Sequence, residues 1–96
     1  MLTHIVFFTF KPDTSADAID DMQRGLARLP DLIPEIKGYE FGRDILHTER
    51  SCDYALISRF EDLAAMKRYQ THPEHQVVLQ KIQALAEKIQ AVDFSG

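Results

Sequence analysis

The segment Tyr69-Gln-Thr-His-Pro-Glu-His75 marks the place where one helical pattern ends and a longer one begins. Pro73 lacks a backbone N–H and suits the first position of a helix, and it disfavours helical geometry at the residue before it. A short helix is therefore predicted to end near His72, and another to begin at Pro73. The segment holds two of the four histidines and a tyrosine, so it is also the first place to look for a functional site.

Strand-like runs lie on both sides of this junction. Residues 2–11, 38–45 and 54–60 contain many β-branched and aromatic residues, which favours three strands. Residues 91–94 predict a short final strand. The chain therefore begins and ends with strands.

Helices are predicted between these strands from apolar residues at spacings of three and four. Pro30 is expected to end the first helix, Asp62 is expected to cap the second, and the third is expected to run from Pro73 to about Gln90. The predicted apolar faces are Ile19, Met22, Leu26 and Leu29 in the first helix, Leu63, Met66 and Tyr69 in the second, and Val78, Ile82, Leu85 and Ile89 in the third.

The order β-α-β-β-α-β predicts one α+β domain of ferredoxin-like type over residues 1–96, in which a four-stranded antiparallel sheet carries its helices on one face. Both faces of the first strand are largely apolar, with His4, Val6 and Phe8 on one side and Ile5 and Phe7 on the other. A strand exposed on one face alternates more cleanly. We therefore predict a homodimer through the sheet faces, with room for a small apolar ligand inside.

Charge and cysteine content exclude several classes of function. The formal net charge of −4 gives no broad basic face, which argues against nucleic-acid binding. No run approaches the roughly 20 apolar residues of a membrane span. The single Cys52 cannot form an intramolecular disulfide, and the first residues lack the pattern of a signal peptide. We expect a cytoplasmic protein.

His75 is the best candidate for a catalytic residue. It falls at about the third position of the predicted helix, where the helix dipole opposes protonation. A neutral imidazole can act as a general base near neutral pH. Tyr69 lies six residues earlier, and its phenol could hydrogen-bond a substrate carbonyl. The alternative is a helix break that side-chain hydrogen bonds merely lock in place.

The other histidines have both structural and functional interpretations. His4 lies on the Val6 and Phe8 side of the first strand, either as a hydrogen-bonded core residue or as part of a polar lining. His72 flanks the proline and is more typical of a structural residue. His72 and His75 are three apart, but Pro73 interrupts the helix and no cysteine or carboxylate cluster completes a ligand set, so no metal site is predicted.

The sequence resembles the stress-responsive α/β-barrel domain family, also called Dabb. The resemblance covers nearly the whole chain. It rests on five segments: residues 4–11, Gly42-Arg-Asp44, the strand that ends in Phe60, the tyrosine–histidine–proline–histidine pattern of residues 69–75, and Val92-Asp-Phe94. It implies a ferredoxin-like protomer that forms a dimeric α/β barrel.

The resemblance also implies a function. The family includes stress-associated plant proteins that form stable oligomers and a plant polyketide cyclase that performs a cofactor-free aldol condensation. The catalytic pair of that cyclase matches Tyr69 and His75, and its first-strand histidine, which helps hold the site, matches His4. We expect Val6, Phe8 and His72 to contact the ligand, and we expect no metal or organic cofactor.

Three functions remain open at this point. The first is a homodimeric barrel that binds a small apolar or carbonyl-bearing molecule, with cyclase-like acid/base catalysis. The second is a non-catalytic, stress-associated oligomeric protein. The third is an enzyme similar to the dimeric-barrel monooxygenases, which the shared topology permits but does not establish.

Overall fold

The computed structural model describes residues 1–96 and contains four strands and three helices. The strands form one antiparallel sheet in the order β2-β3-β1-β4. The elements are β1 (Leu2–Phe10), α1 (Ala16–Leu32), β2 (Gly38–Arg43), β3 (Tyr54–Phe60), α2 (Leu63–Thr71), α3 (Pro73–Leu85) and β4 (Ala86–Ser95). The predicted ferredoxin-like α+β fold is confirmed. No helix is long and apolar enough to cross a membrane.

The core lies between the sheet and the helices. Side chains from the middle of the sheet, such as Phe8 and Phe60, are completely buried against helical residues such as Met22. The four predicted apolar positions of α1 are all buried. In α2 the prediction was wrong for Leu63, which is 52% exposed, because the buried face begins at Ala65 instead.

Gly25 lets α1 approach α3 closely. A Cβ atom at this position would lie 3.1 Å from Cγ2 of Val78 on α3. This is tighter than an ordinary van der Waals contact, so the absent side chain is part of the fit between the two helices. The approach also brings Lys81 on α3 within 3.1 Å of Asp21 on α1. The helix that carries His75 is therefore held against α1 at Val78 and Lys81.

The prediction that Pro30 ends the first helix was wrong. Helix α1 continues to Leu32, and Pro30 lies inside its last turn. Leu29 and Ile33 on either side are almost completely buried, and the N–H of Ile33 donates to the carbonyl of Leu29. Packing of these flanking residues keeps the last turn helical despite the missing N–H of proline.

The boundary between α3 and β4 was also predicted wrongly. Helix α3 ends at Leu85 and not near Gln90, and β4 spans ten residues. The sequence from Ala86 to Gln90 has helical spacing, but β4 pairs with β1 from Leu2 to Phe10. The hydrogen bonds of this long pairing override a local helical preference.

The face of the sheet opposite the helices is uncovered within one chain. Its central side chains come from Ile5, Phe7 and Ile57, which are only partly buried. Two further apolar side chains on this face are strongly exposed, Val92 at 51% and Phe94 at 48%. The structure thus has an apolar surface on the sheet face through which the sequence analysis predicts a homodimer.

Candidate functional site

The junction between α2 and α3 is held by capping interactions of His72. This residue ends α2 and caps α3, with Nδ1 of its ring accepting a hydrogen bond from the N–H of Glu74 at 3.1 Å. Its own N–H donates to the carbonyl of Tyr69. The ring is thereby engaged at the helix end and does not line the cavity described below. The structure places His72 in a structural position, not in the predicted ligand contact.

His75 lies at the third position of α3, as predicted, and its ring is fixed by the end of α2. Nδ1 of His75 lies 3.0 Å from the carbonyl oxygen of Gln70. A carbonyl can only accept a hydrogen bond, so Nδ1 carries the proton. The lone pair of a neutral ring is then on Nε2, which has no hydrogen-bond partner within the protein. This tautomer leaves Nε2 free to accept a proton.

Burial lowers the pKa of His75 below its usual range, and this is the largest effect. The hydrogen bond to the Gln70 carbonyl opposes the shift, and charge on His4 or His72 would add to it. The sequence analysis explained a neutral His75 by the helix dipole. The structure shows that loss of solvation on burial is the main cause of the lowered pKa. The ring is therefore uncharged at neutral pH, as a general base requires.

Tyr69 lies directly against His75. The centroids of the two rings are 4.3 Å apart, and the phenol ring also contacts Phe60 at 4.8 Å. Tyr69 is almost completely buried. Burial raises the pKa of its hydroxyl, and the nearby hydroxyl of Tyr39 partly opposes this increase. Tyr69 is therefore a protonated phenol that can donate a hydrogen bond.

His4 is paired with Asp93, a residue that the sequence analysis did not identify. The carboxylate of Asp93 on β4 accepts a hydrogen bond from Nδ1 of His4 on β1, which leaves Nε2 of His4 free. Aspartate is unfavourable within a strand, so the presence of Asp93 in the predicted final strand could have indicated a special role. The pairing was not predictable because it needs the register that joins the first and last strands.

A polar row crosses the sheet at this level. The register places Tyr39 on β2 beside Ser58 on β3, Ser58 beside His4 on β1, and His4 beside Asp93 on β4. All four side chains lie on the face that the helices cover. The hydroxyl of Ser58 is completely buried and donates to the carbonyl of His4 at 3.4 Å. The row is a band of polar groups beneath the α2–α3 junction.

A cavity of about 250 Å³ lies between this region of the sheet and helices α2 and α3. Its polar lining comes from His4, Tyr69, Gln70, His75 and Gln76. Its apolar lining comes from Val6, Leu56, Leu79, Ile82, Ile89 and Ala91. No lysine, arginine, aspartate or glutamate lines it, and four of the six predicted site residues, His4, Val6, Tyr69 and His75, meet there.

Two sequence-based expectations about this cavity differ from the structure. It was expected between the sheets of two subunits, but it lies on the helix side of a single chain. Phe8 was expected to line it beside Val6, but Phe8 is completely buried and stacks on Tyr54 at 5.1 Å. Strand alternation correctly assigned Phe8 and Val6 to the same face. Alternation alone does not tell which face the helices cover.

Other parts of the molecule offer less chemistry. No group of three or more histidine, cysteine or acidic side chains is placed to hold a metal ion. A more open cleft of about 400 Å³ at the end of β2 and β3 is lined by Arg43, Arg50 and Cys52, among others, but by none of the predicted site residues. The cavity at the α2–α3 junction is therefore the candidate site.

Comparison with known proteins agrees with this architecture. The model of the stress responsive A/B barrel domain family, Dabb, matches residues 2–96. The stress-response A/B barrel domain-containing protein HS1 of Arabidopsis thaliana is 27% identical over 93 residues, which cover 95% of this chain and 85% of HS1.

Solved structures of similar proteins include dimers. A dimeric ferredoxin-like protein of unknown function from Thermobifida fusca has a TM-score of 0.90 and 28% identity, with 99% of this chain and 90% of that chain covered. A dimeric protein of unknown function and ferredoxin-like fold from Bacteroides fragilis has a TM-score of 0.87 and 26% identity, covering 99% and 95% of the two chains.

The lowered pKa of His75 predicts a pH dependence of stability. The unfolded chain binds a proton at His75 near pH 6.5, the ordinary value for histidine, whereas the folded chain does so only at lower pH. The free energy of unfolding should therefore decrease as the pH falls from about 6.5 through the folded pKa, by about 1.4 kcal/mol for each unit of pKa lowering. Urea unfolding at a series of pH values measures this.

The matched variant is His75→Asn, whose amide N–H can still donate to the Gln70 carbonyl but cannot titrate. Relative to this variant, the wild type should lose stability on acidification over that window and remain parallel to it above pH 7. Identical slopes for the two proteins over the whole range would contradict a lowered pKa of His75.

Proposed function

Because the chain belongs to the Dabb stress-responsive A/B barrel domain family, we propose that it binds a small carbonyl compound and catalyses proton transfer next to the carbonyl without a cofactor. The main support is the neutral His75, whose Nδ1–H is held by Gln70 while it and Tyr69 line an apolar cavity. A fixed base beside a phenol donor, in a cavity that no lysine, arginine or carboxylate lines, is the arrangement such chemistry needs.

The proposed step uses His75 as base and Tyr69 as hydrogen-bond donor. Nε2 of His75 takes a proton from the carbon next to the carbonyl. The electrons of that C–H bond form a carbon–carbon double bond, and the carbonyl oxygen becomes an enolate oxygen. The hydroxyl of Tyr69, kept protonated by burial, donates a hydrogen bond to that oxygen. Return of the proton from His75 to carbon completes a proton exchange. If the enolate attacks a second carbonyl instead, a carbon–carbon bond forms and the resulting alkoxide takes the proton back from His75.

His4 has a supporting role in this proposal. Its ring lines the cavity, and Asp93 holds Nδ1 so that Nε2 remains free. A second oriented imidazole can accept a hydrogen bond from the substrate or relay a proton. Asp93 acts through His4 and does not itself line the cavity.

The cavity limits the substrate to a small, uncharged molecule. Its volume of about 250 Å³ corresponds to about eight water molecules at about 30 Å³ each in the liquid. It lies below the range of about 300–1,000 Å³ that is usual for drug-sized ligands. The lining has no lysine or arginine to pair with a carboxylate or phosphate. A short ketone, aldehyde or phenol fits within this volume, whereas a long polyketide thioester is larger than the cavity.

We predict that the protein accelerates exchange of the acidic C–H protons of a small 1,3-diketone in D₂O. Replacing His75 with Asn should remove the base and lower the catalysed rate by about 100-fold or more. Replacing Tyr69 with Phe removes one donor to the enolate and should lower the rate by a similar factor. The rate of loss of the proton signal in NMR spectra measures the exchange.

A control for general effects of mutation is Gln23→Ala, which removes a surface partner of the Tyr54 hydroxyl on the other side of the core. This variant should exchange the diketone at the wild-type rate. If the wild type does no better than the His75→Asn variant, His75 is not a base for this reaction and the catalytic proposal fails.

We further propose that a second copy covers the open sheet face. The face carries exposed apolar side chains in the two outer positions of β4, Val92 and Phe94. The similar proteins from Thermobifida fusca and Bacteroides fragilis are described as dimeric. A two-fold contact through this face would bury the same residues on both copies.

We predict that Val92→Glu converts the dimer to a monomer, because it places two carboxylates in an apolar contact. Multi-angle light scattering should give about twice the mass of one chain for the wild type and one chain for the variant. The matched control is Val77→Glu on α3, a position with 53% exposure that lies away from the sheet. A dimer that persists in the Val92 variant would show that another surface is used.

A non-catalytic function is the second candidate, and one observation favours it. Gln70 accepts hydrogen bonds from both His75 and Gln76, so its carbonyl ties the end of α2 to the first turn of α3. In that case the same residues would stabilise the fold and would have no catalytic role. The Arabidopsis relative is named as a stress-response protein, not as an enzyme. The diketone exchange experiment separates the two functions, because a purely structural junction gives no exchange.

A further inference from the structure

Tyr39 has a buried hydroxyl with no hydrogen-bond partner in the protein, and it is the only buried side-chain polar atom of this kind. Such a group is unfavourable, because it has lost its bonds to water and gained none in return. The ring itself is well packed, with an edge contact to Phe41 at 6.0 Å. Packing would be served equally by phenylalanine, so the hydroxyl needs another explanation.

The position of Tyr39 connects it to the candidate site through Tyr69. Tyr39 is the first member of the polar row that continues through Ser58 to His4. It does not line the cavity, whereas Tyr69 does. The two hydroxyls are close enough to affect each other: burial raises the pKa of both, and the hydroxyl of Tyr39 reduces the increase for Tyr69. The hydroxyl of Tyr39 is therefore near that of Tyr69 but outside the cavity lining.

We propose that Tyr39 is a positioning residue that donates a hydrogen bond to the phenol oxygen of Tyr69 when Tyr69 donates its own proton to an oxyanion in the cavity. This inference rests on the function proposed above and assigns the bound species to a chemical class. The species that the two tyrosines stabilise is the enolate or phenolate that forms in the cavity from a small neutral ketone or phenol.

The hydrogen bonds in this chain run from Tyr39 to Tyr69 and from Tyr69 to the oxyanion, because each hydroxyl has a single proton. Each phenol has one proton to donate, and the hydroxyl of Tyr69 is a neighbour to which the unpaired hydroxyl of Tyr39 can donate. When the proton of Tyr69 is drawn toward an oxyanion, the Tyr69 oxygen becomes more negative and a better acceptor. Consecutive hydrogen bonds strengthen each other in this way inside a protein. The weak interaction of the Tyr39 hydroxyl with Tyr69 thus becomes a full hydrogen bond when the site is occupied.

The test compares Tyr39→Phe with Tyr54→Phe, using 4-nitrophenol as the probe. This small phenol resembles an enolate when ionised, and its ionised form absorbs visible light. Tyr54 is the matched control because its hydroxyl is hydrogen-bonded to Gln23 at 3.0 Å and does not line the cavity. Binding is measured by absorbance titration over a range of pH, and stability by thermal unfolding.

The two variants should respond in opposite ways. Tyr39→Phe should weaken binding of the ionised probe by about fivefold, the effect of losing one hydrogen bond, and should raise the pKa of the bound probe. Its melting temperature should stay the same or increase, because an unpaired buried hydroxyl is removed. Tyr54→Phe should bind the probe as the wild type does and should melt at a lower temperature.

The outcomes distinguish this inference from the proposed function. If the wild type binds the probe and Tyr69→Phe weakens that binding, but Tyr39→Phe has no effect on affinity or on the pKa of the bound probe, the role of Tyr39 is refuted and the proposed function stands. A lower melting temperature of Tyr39→Phe with unchanged binding would assign its hydroxyl to the fold. A wild-type protein that does not bind the probe would refute both proposals.

Discussion

The hydrogen bond from Nδ1 of His75 to the carbonyl of Gln70 joins the end of one helix to the start of the next. Gln70 lies in the last turn of α2, where backbone carbonyls lack partners within their own helix. His75 lies in the first turn of α3. This bond satisfies a carbonyl at a helix end, helps the His72 cap to join the two helices and selects the tautomer of an imidazole. The His75 ring links α2 to α3, and the Gln70 carbonyl of α2 fixes the orientation of that ring.

The sheet supplies the other half of the site. Its four strands bring Tyr39, Ser58, His4 and Asp93 into one row under the helix junction, although the first and last of these are 54 positions apart in a sequence of 96 residues. Polar side chains are unfavourable in this position unless they are paired. His4 is paired with Asp93 and Ser58 with a carbonyl, and the hydroxyl of Tyr39 is left without a partner. Local rules of packing are thus broken where the proposed chemistry takes place.

Features of the fold and the site that depend on neighbouring residues could be predicted from the sequence, whereas features that depend on contacts between distant segments could not. Pro73 fixed the helix junction and the position of His75 without any tertiary information. The pairing of His4 with Asp93 depended on register between the two ends of the chain. The start of β4 at Ala86 depended on the length of β1, and Pro30 lies inside a helix because Leu29 and Ile33 are buried. The side of the sheet on which the cavity lies depended on where the helices pack. Each of these needs contacts between distant segments, which periodicity does not contain.

The central claim is that His75 is a neutral imidazole with its proton on Nδ1 and a free Nε2. Nitrogen-15 NMR of the imidazole ring measures this directly, with the His75→Asn variant to assign the signals. At pH 7 the account predicts that Nδ1 of His75 is protonated and Nε2 is not. A proton on Nε2, or a doubly protonated ring at that pH, would contradict it.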